Sequence, residues 1–308
     1  MAWEALGAII GAGFASGQEL AVFFARFGRW SPVAVFMAVL AVWLLTRRIL
    51  RSGEAPYQRL SWRIAFVALA VVSGGAMAAA AGEIAALTLP LHGAKYAGIL
   101  LAMAMGHVCA VRNTPLLRRV CQLTTAAMVL MLMLCLRLPM QRAAIVPSGT
   151  VLAAAVHGVS WAGFNLALAA PMLARRGESR SAMEKERAAA LLTFALAALL
   201  TLGCTVLRRH PMAMHSELPL VQLTANLGRW GFPLCCTTLL LAELSTLAAS
   251  LRTLAELLPA RWRCAGMTAV LLTALAGFGP VVGRVYPLLG GVCTVLLLLP
   301  KVFTLHKA

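Results

Sequence analysis

Apolar residues run through this sequence in long blocks separated by short polar stretches. A helix needs about 20 apolar residues to cross the hydrocarbon core of a bilayer. Ten blocks reach that length, with approximate edges 3–25, 32–50, 64–88, 94–111, 115–137, 148–174, 187–208, 230–258, 264–281 and 285–305. The pattern predicts an all-α polytopic membrane protein of about ten transmembrane helices, forming a single transmembrane domain over residues 1–308 with short loops. The weakest boundary is the last, where only Gly279, Pro280 and Gly283 separate the ninth block from the tenth.

Two blocks are interrupted from within. The first contains Gly7, Gly11, Gly13 and Gly17, and then the polar run Ser16-Gly17-Gln18-Glu19. An interior Gly costs a helix about 1 kcal/mol relative to Ala, so this block is expected to break. One half would end near Gly11 and a second would begin near Ser16, with Ser16 and Glu19 as a capping box. Main-chain groups freed at membrane depth are tolerated only where protein buries them or where they line a wet cavity. Such discontinuous helices form the substrate and ion sites of secondary transporters. The sixth block carries a second apparent break, His157-Gly158-Val159-Ser160-Trp161-Ala162-Gly163-Phe164-Asn165, with Asn165 as a cap and Pro171 beyond it. Five blocks precede the sixth and four follow it. The spacing therefore predicts two five-helix repeats, about 1–138 and 147–308. Because five is odd, the second would enter from the opposite side, as an inverted repeat.

Composition agrees with the pattern. The chain is 61% hydrophobic and 12% charged, with mean hydropathy +0.85, against about 25% charged residues in soluble domains. The net charge of +17 does not point to nucleic acid, because the basic residues lie in short runs between apolar blocks. They read as topology signals and as contacts with anionic lipid heads. With the first residue cytoplasmic, inner loops carry 18 Lys and Arg and outer loops 9. This bias predicts both termini inside and an even number of spans. A secretory leader is not expected, since the start lacks a basic run and carries Glu4. The eight cysteines show no metal-binding spacing and read as buried free thiols.

Gly11-Ala12-Gly13-Phe14-Ala15-Ser16-Gly17-Gln18-Glu19 resembles the first-helix signature of the YkvI-like family of bacterial membrane proteins. Ser160-Trp161-Ala162-Gly163-Phe164-Asn165 resembles that family's sixth helix, where an aromatic residue and an Asn flank the break. In helix number and order the resemblance extends over essentially the whole chain. It implies the LeuT-type fold of the amino acid–polyamine–organocation superfamily, with broken helices one and six, in a bacterial inner membrane. It implies where a site lies better than what the site carries.

The first break offers carbonyls from about Ile10 to Gly13, which suit a small cation, and N–H groups from about Ser16 to Gln18, which suit an anionic group. Gly11, Ala12, Gly13, Phe14, Ser16, Gly17 and Gln18 are thus candidate substrate residues, with Ser160, Trp161, Gly163, Phe164 and Asn165 from the sixth block. The glycines alone also fit a close-packing face, and Trp161 and Phe164 equally fit core packing. Glu19 has three open roles: cap, proton carrier or cation ligand. In the third block Gly75, Ala79 and Glu83 share a helix face. In the LeuT fold that helix lines the substrate cavity, which makes Ala79 a substrate candidate and Glu83 an ion-coupling one. The alternative for Glu83 is a solvated position near the outer end. In the eighth block Glu243, Thr246 and Ser250 form a polar stripe. Ser245 and Thr246 resemble the hydroxyl pair that helps bind sodium in sodium-coupled LeuT-fold transporters, here with the backbone of Ile10 and Gly13; hydroxyls that bond back to their own helix are the alternative. Glu243 is a proton or cation candidate, or equally a partner for a basic side chain such as Arg252. His157 reads as a structural hydrogen-bonded group or a cavity residue, and Glu217 has no assigned role.

The expected function is secondary transport of a small amino acid-like or organic ion, coupled to sodium or protons, with no cofactor beyond a sodium ion. A membrane receptor built on the same fold is the alternative. An ATP-driven pump is not expected without a Walker motif. An intramembrane enzyme is not expected either, since the chain has no Asp for a dyad and no H-E-x-x-H.

Overall fold

The structure, a computed structural model, describes Leu6 and residues 9–52, 60–112, 115–141, 149–177 and 180–299. Glu4 and Gly7, named above, lie outside the described residues, as do Arg59, Arg142, Lys301 and Lys307 among the basic residues counted for topology. Helical backbone occurs in each of the ten blocks. The first holds two short helices, α1 (Ala12–Ser16) and α2 (Gln18–Phe23). A 3-10 turn at Ala25–Trp30 leads into α3 (Ser31–Ser52). Then come α4 (Leu60–Thr88), α5 (Ala94–Arg112), α6 (Pro115–Cys135), α7 (Val151–Gly177) and α8 (Ala182–Arg209). A 3-10 turn at Pro211–His215 and the short α9 (Pro219–Thr224) connect to α10 (Gly231–Leu257). The chain finishes with α11 (Ala260–Leu275), a helical turn at Phe278–Pro280, a π-helical turn at Val281–Val285 and α12 (Tyr286–Leu298). Among the described residues, seven helices are long and apolar enough to cross a membrane. This is a multi-pass membrane protein. Phe194, Leu152 and Leu288 stand exposed on its outer faces, where lipid replaces water as the solvent.

Side chains tie the helix ends into two opposed layers. At one end Arg47 and Arg51 each reach Glu186 at 2.7 Å. Arg48 there donates to the Leu299 carbonyl, and Arg63 to that of Leu257. At the opposite end Lys95 pairs with Glu83, Arg209 donates to the Leu136 carbonyl, and Glu217 accepts from the Gly279 N–H. Between these ends the helices form two groups. α7 packs on α3 and α12, and α3 on α8; α4 packs on α5, α10 and α11, and α10 on α5 and α6. Contacts between the groups are sparse. Small residues seat the tightest crossings. A Cβ on Gly158 would overlap the Ala34 carbonyl, and one on Gly290 the Ser160 carbonyl.

Three expectations are corrected. The sixth block is not broken at His157–Asn165, because α7 runs unbroken across it. Asn165 is not a cap: its amide donates back to the Trp161 carbonyl at 3.1 Å. Gly158 and Gly163 serve packing instead, against Ala34 of α3 and Gly290 and Thr294 of α12. Inside α7 stands Pro171, which has no N–H to give to the Ala167 carbonyl. The boundary between the ninth and tenth blocks falls at Gly277, whose φ of 94° turns the chain; Gly279, Pro280 and Gly283 belong to the last helical run. The third correction, to the capping box, is part of the site.

Candidate functional site

The site begins with the broken first span. Leu6 and Ile9 are helical, and the Ile10 N–H still bonds to the Leu6 carbonyl. Gly11 is then extended, with ψ of −175°. α1 lasts five residues before Gly17 reverses it at φ 84°, ψ −7°. This left-handed conformation strongly favours glycine. A Cβ there would also lie 2.8 Å from Leu220 Cγ. α9 therefore sits directly on the second break. It buries Leu220, Val221 and Leu223, so the connection that carries Glu217 covers the first span.

The expected capping box does not form. Gly17 is the N-cap of α2. Ser16 donates its hydroxyl to the Gly13 carbonyl at 2.8 Å and accepts the Gln18 N–H at 3.1 Å. The Gly17 N–H goes to the Phe14 carbonyl. Two of the N–H groups expected to receive an anionic ligand are thus satisfied by the chain itself. The Glu19 side chain is turned away from Ser16. It is buried, and its Oε2 accepts the Trp161 indole N–H at 2.8 Å and lies 3.5 Å from the Asn165 amide. The carboxylate presses on α1, where a Cβ added at Gly13 would overlap it. An S-x-x-E box does form elsewhere, at Ser181 and Glu184, starting α8.

α7 presents its sixth-block residues in two directions. Trp161 and Asn165 face Glu19, and Trp161 also meets Phe24 edge-on, with ring centroids 5.4 Å apart. Phe164 stacks on Tyr286 of α12 at 4.0 Å. Ser160 and Gly163 lie against Gly290 of α12. His157 is tied near the span's end, with Arg26 at 2.6 Å from Nε2 and the Ala153 carbonyl at 2.9 Å from Nδ1.

A cavity of about 270 Å³ opens below the break, between the two helix groups. Its walls are Ile10 and Gly11 at the break; Phe66, Ala70 and Ser73 of α4; Leu168 and Pro171 of α7; and Ser245, Thr246, Ser250 and Thr253 of α10, with Thr124 of α6. These residues come from the first half of α4 and the last halves of α7 and α10, so the cavity lies toward the Arg47–Glu186 end. Gly11 approaches α10 closely, since a Cβ there would lie 3.9 Å from Thr246 Oγ1. Ser245 and Thr246 both donate their hydroxyl protons to the Ala242 carbonyl, at 2.8 and 3.0 Å. The oxygen lone pairs remain for a cation. Of the four groups expected around sodium, Ile10, Ser245 and Thr246 line the cavity, while the Gly13 carbonyl is engaged by Ser16.

The polar stripe of α10 extends past the cavity. Thr253, Ser250 and Thr246 line it, and Glu243 continues the same face one turn farther from the Arg47–Glu186 end. Glu243 is 1% exposed, and neither carboxylate oxygen has a hydrogen-bond partner. The third-block candidates take other positions. Gly75 packs on Thr273 of α11, Ala79 is fully buried outside the cavity lining, and Glu83 pairs with Lys95 at the far end. The face of α4 that reaches the cavity is Phe66–Ala70–Ser73. Ser73 also lies beside Tyr286 and accepts the Ser250 hydroxyl at 3.5 Å. Tyr286, one of three tyrosines in the chain, went unnoticed in the sequence, although a phenol inside an apolar block needs a polar partner.

No family model and no curated protein matches the sequence. Several solved structures are similar in shape, two of them as follows. One is a manganese transporter of Eremococcus coleocola in complex with an aromatic bis-isothiourea substituted compound: TM-score 0.57 and 14% identity, covering 96% of this chain and 76% of that one. The other is the inward facing conformation of Mhp1: TM-score 0.55 and 12% identity, covering 96% of this chain and 75% of that one. The fold of this chain is the LeuT-like fold of these transporters.

Proposed function

We propose that this protein is a secondary active transporter of a small organic solute, working by alternating access around its broken first span. The observation that carries this reading is the break at Gly11 and Gly17, which adjoins a cavity between two loosely joined helix groups. Solute would sit between the break, the Trp161–Asn165 face of α7 and the α10 stripe. By the positive-inside bias the Arg47–Glu186 end is cytoplasmic. The cavity then faces the cytoplasm, α9 covers the opposite side, and the structure stands inward-facing. Ten spans in two inverted five-helix repeats, YkvI-like membership, a bacterial inner membrane and anionic lipid at the Arg-rich end complete this reading. Unlike the expected pair of breaks, the repeats would be asymmetric, with the sixth span softened only at Pro171.

Coupling rests on cations. Sodium would be held by the Ser245 and Thr246 oxygens with the Ile10 carbonyl, and Glu19 would carry a proton or face the solute's charge. The test is counterflow of labelled amines, amino acids and carboxylates in proteoliposomes, with sodium and pH gradients imposed separately. Exchange of a labelled solute supports transport. Saturable binding without exchange overturns it in favour of a membrane receptor on the same fold.

A further inference from the structure

One short sequence occurs twice. Gly28-Arg29-Trp30 leads into α3, and Gly228-Arg229-Trp230 leads into α10. Both glycines turn the chain at positive φ, 53° and 90°. At both corners the arginine lies over the ring of the tryptophan that follows it, its guanidinium carbon 4.9 and 5.2 Å from the ring centroid. Both corners stand at the end opposite Arg47 and Glu186, because α3 and α10 each run from there toward that pair. They belong to different helix groups, α3 to one and α10 to the other. Neither arginine has an ion-pair partner among the described residues. Both arginines are exposed, Trp30 is partly exposed and Trp230 is 69% exposed.

An exposed indole at the start of a membrane span is at home at the boundary between lipid and water. Helix length puts it there. α10 has 27 residues, about 40 Å at 1.5 Å per residue, whereas the hydrocarbon core is about 30 Å thick and the bilayer with its headgroups about 40–45 Å. The first turn of α10 therefore lies among headgroups, where phosphate is the shared chemical group. Stacking holds each guanidinium flat on its ring and leaves the N–H edge unspent. That fork matches two phosphate oxygens at once. We propose that the two Gly-Arg-Trp corners are phospholipid clamps, each holding the phosphate of one lipid with its arginine while the indole sits beneath the headgroup. This goes beyond the transporter reading and does not depend on it. The clamps act on the leaflet opposite the one at the Arg47–Glu186 end. Each helix group carries its own clamp, so each keeps its depth in the bilayer when one moves against the other.

The experiment uses the full chain in dodecyl maltoside and three probes: dioctanoylphosphatidylglycerol, dioctanoylglycerol with the same chains and no phosphate, and inorganic phosphate. The readout is the emission of Trp230 alone, taken as the difference between the wild type and Trp230→Phe, so lipid bound at the opposite end does not enter it. The expected result is a saturable change with the phospholipid and none with the other two probes. Arg229→Gln should raise the midpoint of that titration about ten- to hundredfold, the loss of one charge-assisted contact. Arg229→Lys should restore it only in part, because an ammonium is a point charge without the fork. Arg29→Gln should do the same to the emission of Trp30, isolated with Trp30→Phe. An equal response to dioctanoylglycerol overturns the clamp in favour of apolar contact alone. A response to inorganic phosphate overturns it in favour of an adventitious ion only. No response to the phospholipid, or an unchanged midpoint in Arg229→Gln, also overturns it. Gel filtration checks that the variants fold, and the wild-type titration with the three probes decides if one does not.

Discussion

Replacing Gly13 by Ala tests whether the Glu19 carboxylate is locked against the broken span. In an ordinary helix this change would stabilise by about 1 kcal/mol. Here the new methyl would overlap the Glu19 carboxylate and drive it off the Trp161 indole, now 2.8 Å away. A hydrogen bond to a charged group contributes about 1.5–3 kcal/mol. The net expectation is a destabilisation of about 1–2 kcal/mol, a fall in melting temperature of about 2–4 °C. In a Glu19→Ala background the obstacle is gone, so the same substitution should stabilise by up to about 1 kcal/mol. The coupling between the two sites is then about 2–3 kcal/mol, read from a double-mutant cycle of thermal melts in detergent. Gly13→Ala shifting the melt by the same amount and sign in both backgrounds would refute the placement of Glu19 and with it the geometry of the site.

Three further outcomes are expected. Trp161→Phe keeps the ring against Phe24 but removes the N–H that serves Glu19, so uptake should fall at least about tenfold in a protein that still folds; uptake at the wild-type level would free Glu19 from dependence on the indole. Glu83→Gln breaks a partly exposed pair with Lys95, of the kind that contributes about 0–1 kcal/mol, and should leave the pH and sodium dependence of uptake unchanged; a flattened dependence would return Glu83 to the coupling site. With the exposed Cys264 replaced by Ser, Arg180→Cys should react with an impermeant thiol reagent only from the cytoplasmic side, and labelling from outside would invert the orientation.

The fold was largely legible because a bilayer demands long apolar runs, and such runs are visible without any partner. The break in the first span was legible for a related reason: four glycines and a polar run are hard to fit into one helix. The sixth span misled because its signs were ambiguous. Gly158 and Gly163 look the same in sequence whether they loosen a helix or let α3 and α12 approach it, and only the neighbouring carbonyls decide. Asn165 looked like a cap, but an amide can equally bond to its own helix and to a carboxylate 146 positions away. The Ser16–Glu19 spacing fitted a capping box by local rules. It lost to a distant indole, which no local pattern can announce. On α4 the Gly75–Ala79–Glu83 face was chosen for its chemistry, yet Ser73 one step round the helix carries the cavity. The Glu243 stripe was visible as periodicity, but not the lack of any donor to receive it.

The crossings at Gly158 and Gly290 have a mechanical meaning. Where bare main chain abuts bare main chain, there is no rotamer to flip and no methyl to slide, so α3, α7 and α12 are keyed together as one stiff plate. Compliance must then reside along the thinly stitched boundary with α4 and α10, and at the two swivels, Gly11 and Gly17, that hang between the plates. Stroke and rigidity are thus assigned to different parts of one small molecule. Substitutions at the keyed glycines should disable assembly, whereas a substitution at Gly11, where a Cβ meets only Thr246 Oγ1 at 3.9 Å, should leave a well-assembled protein with an impaired swivel.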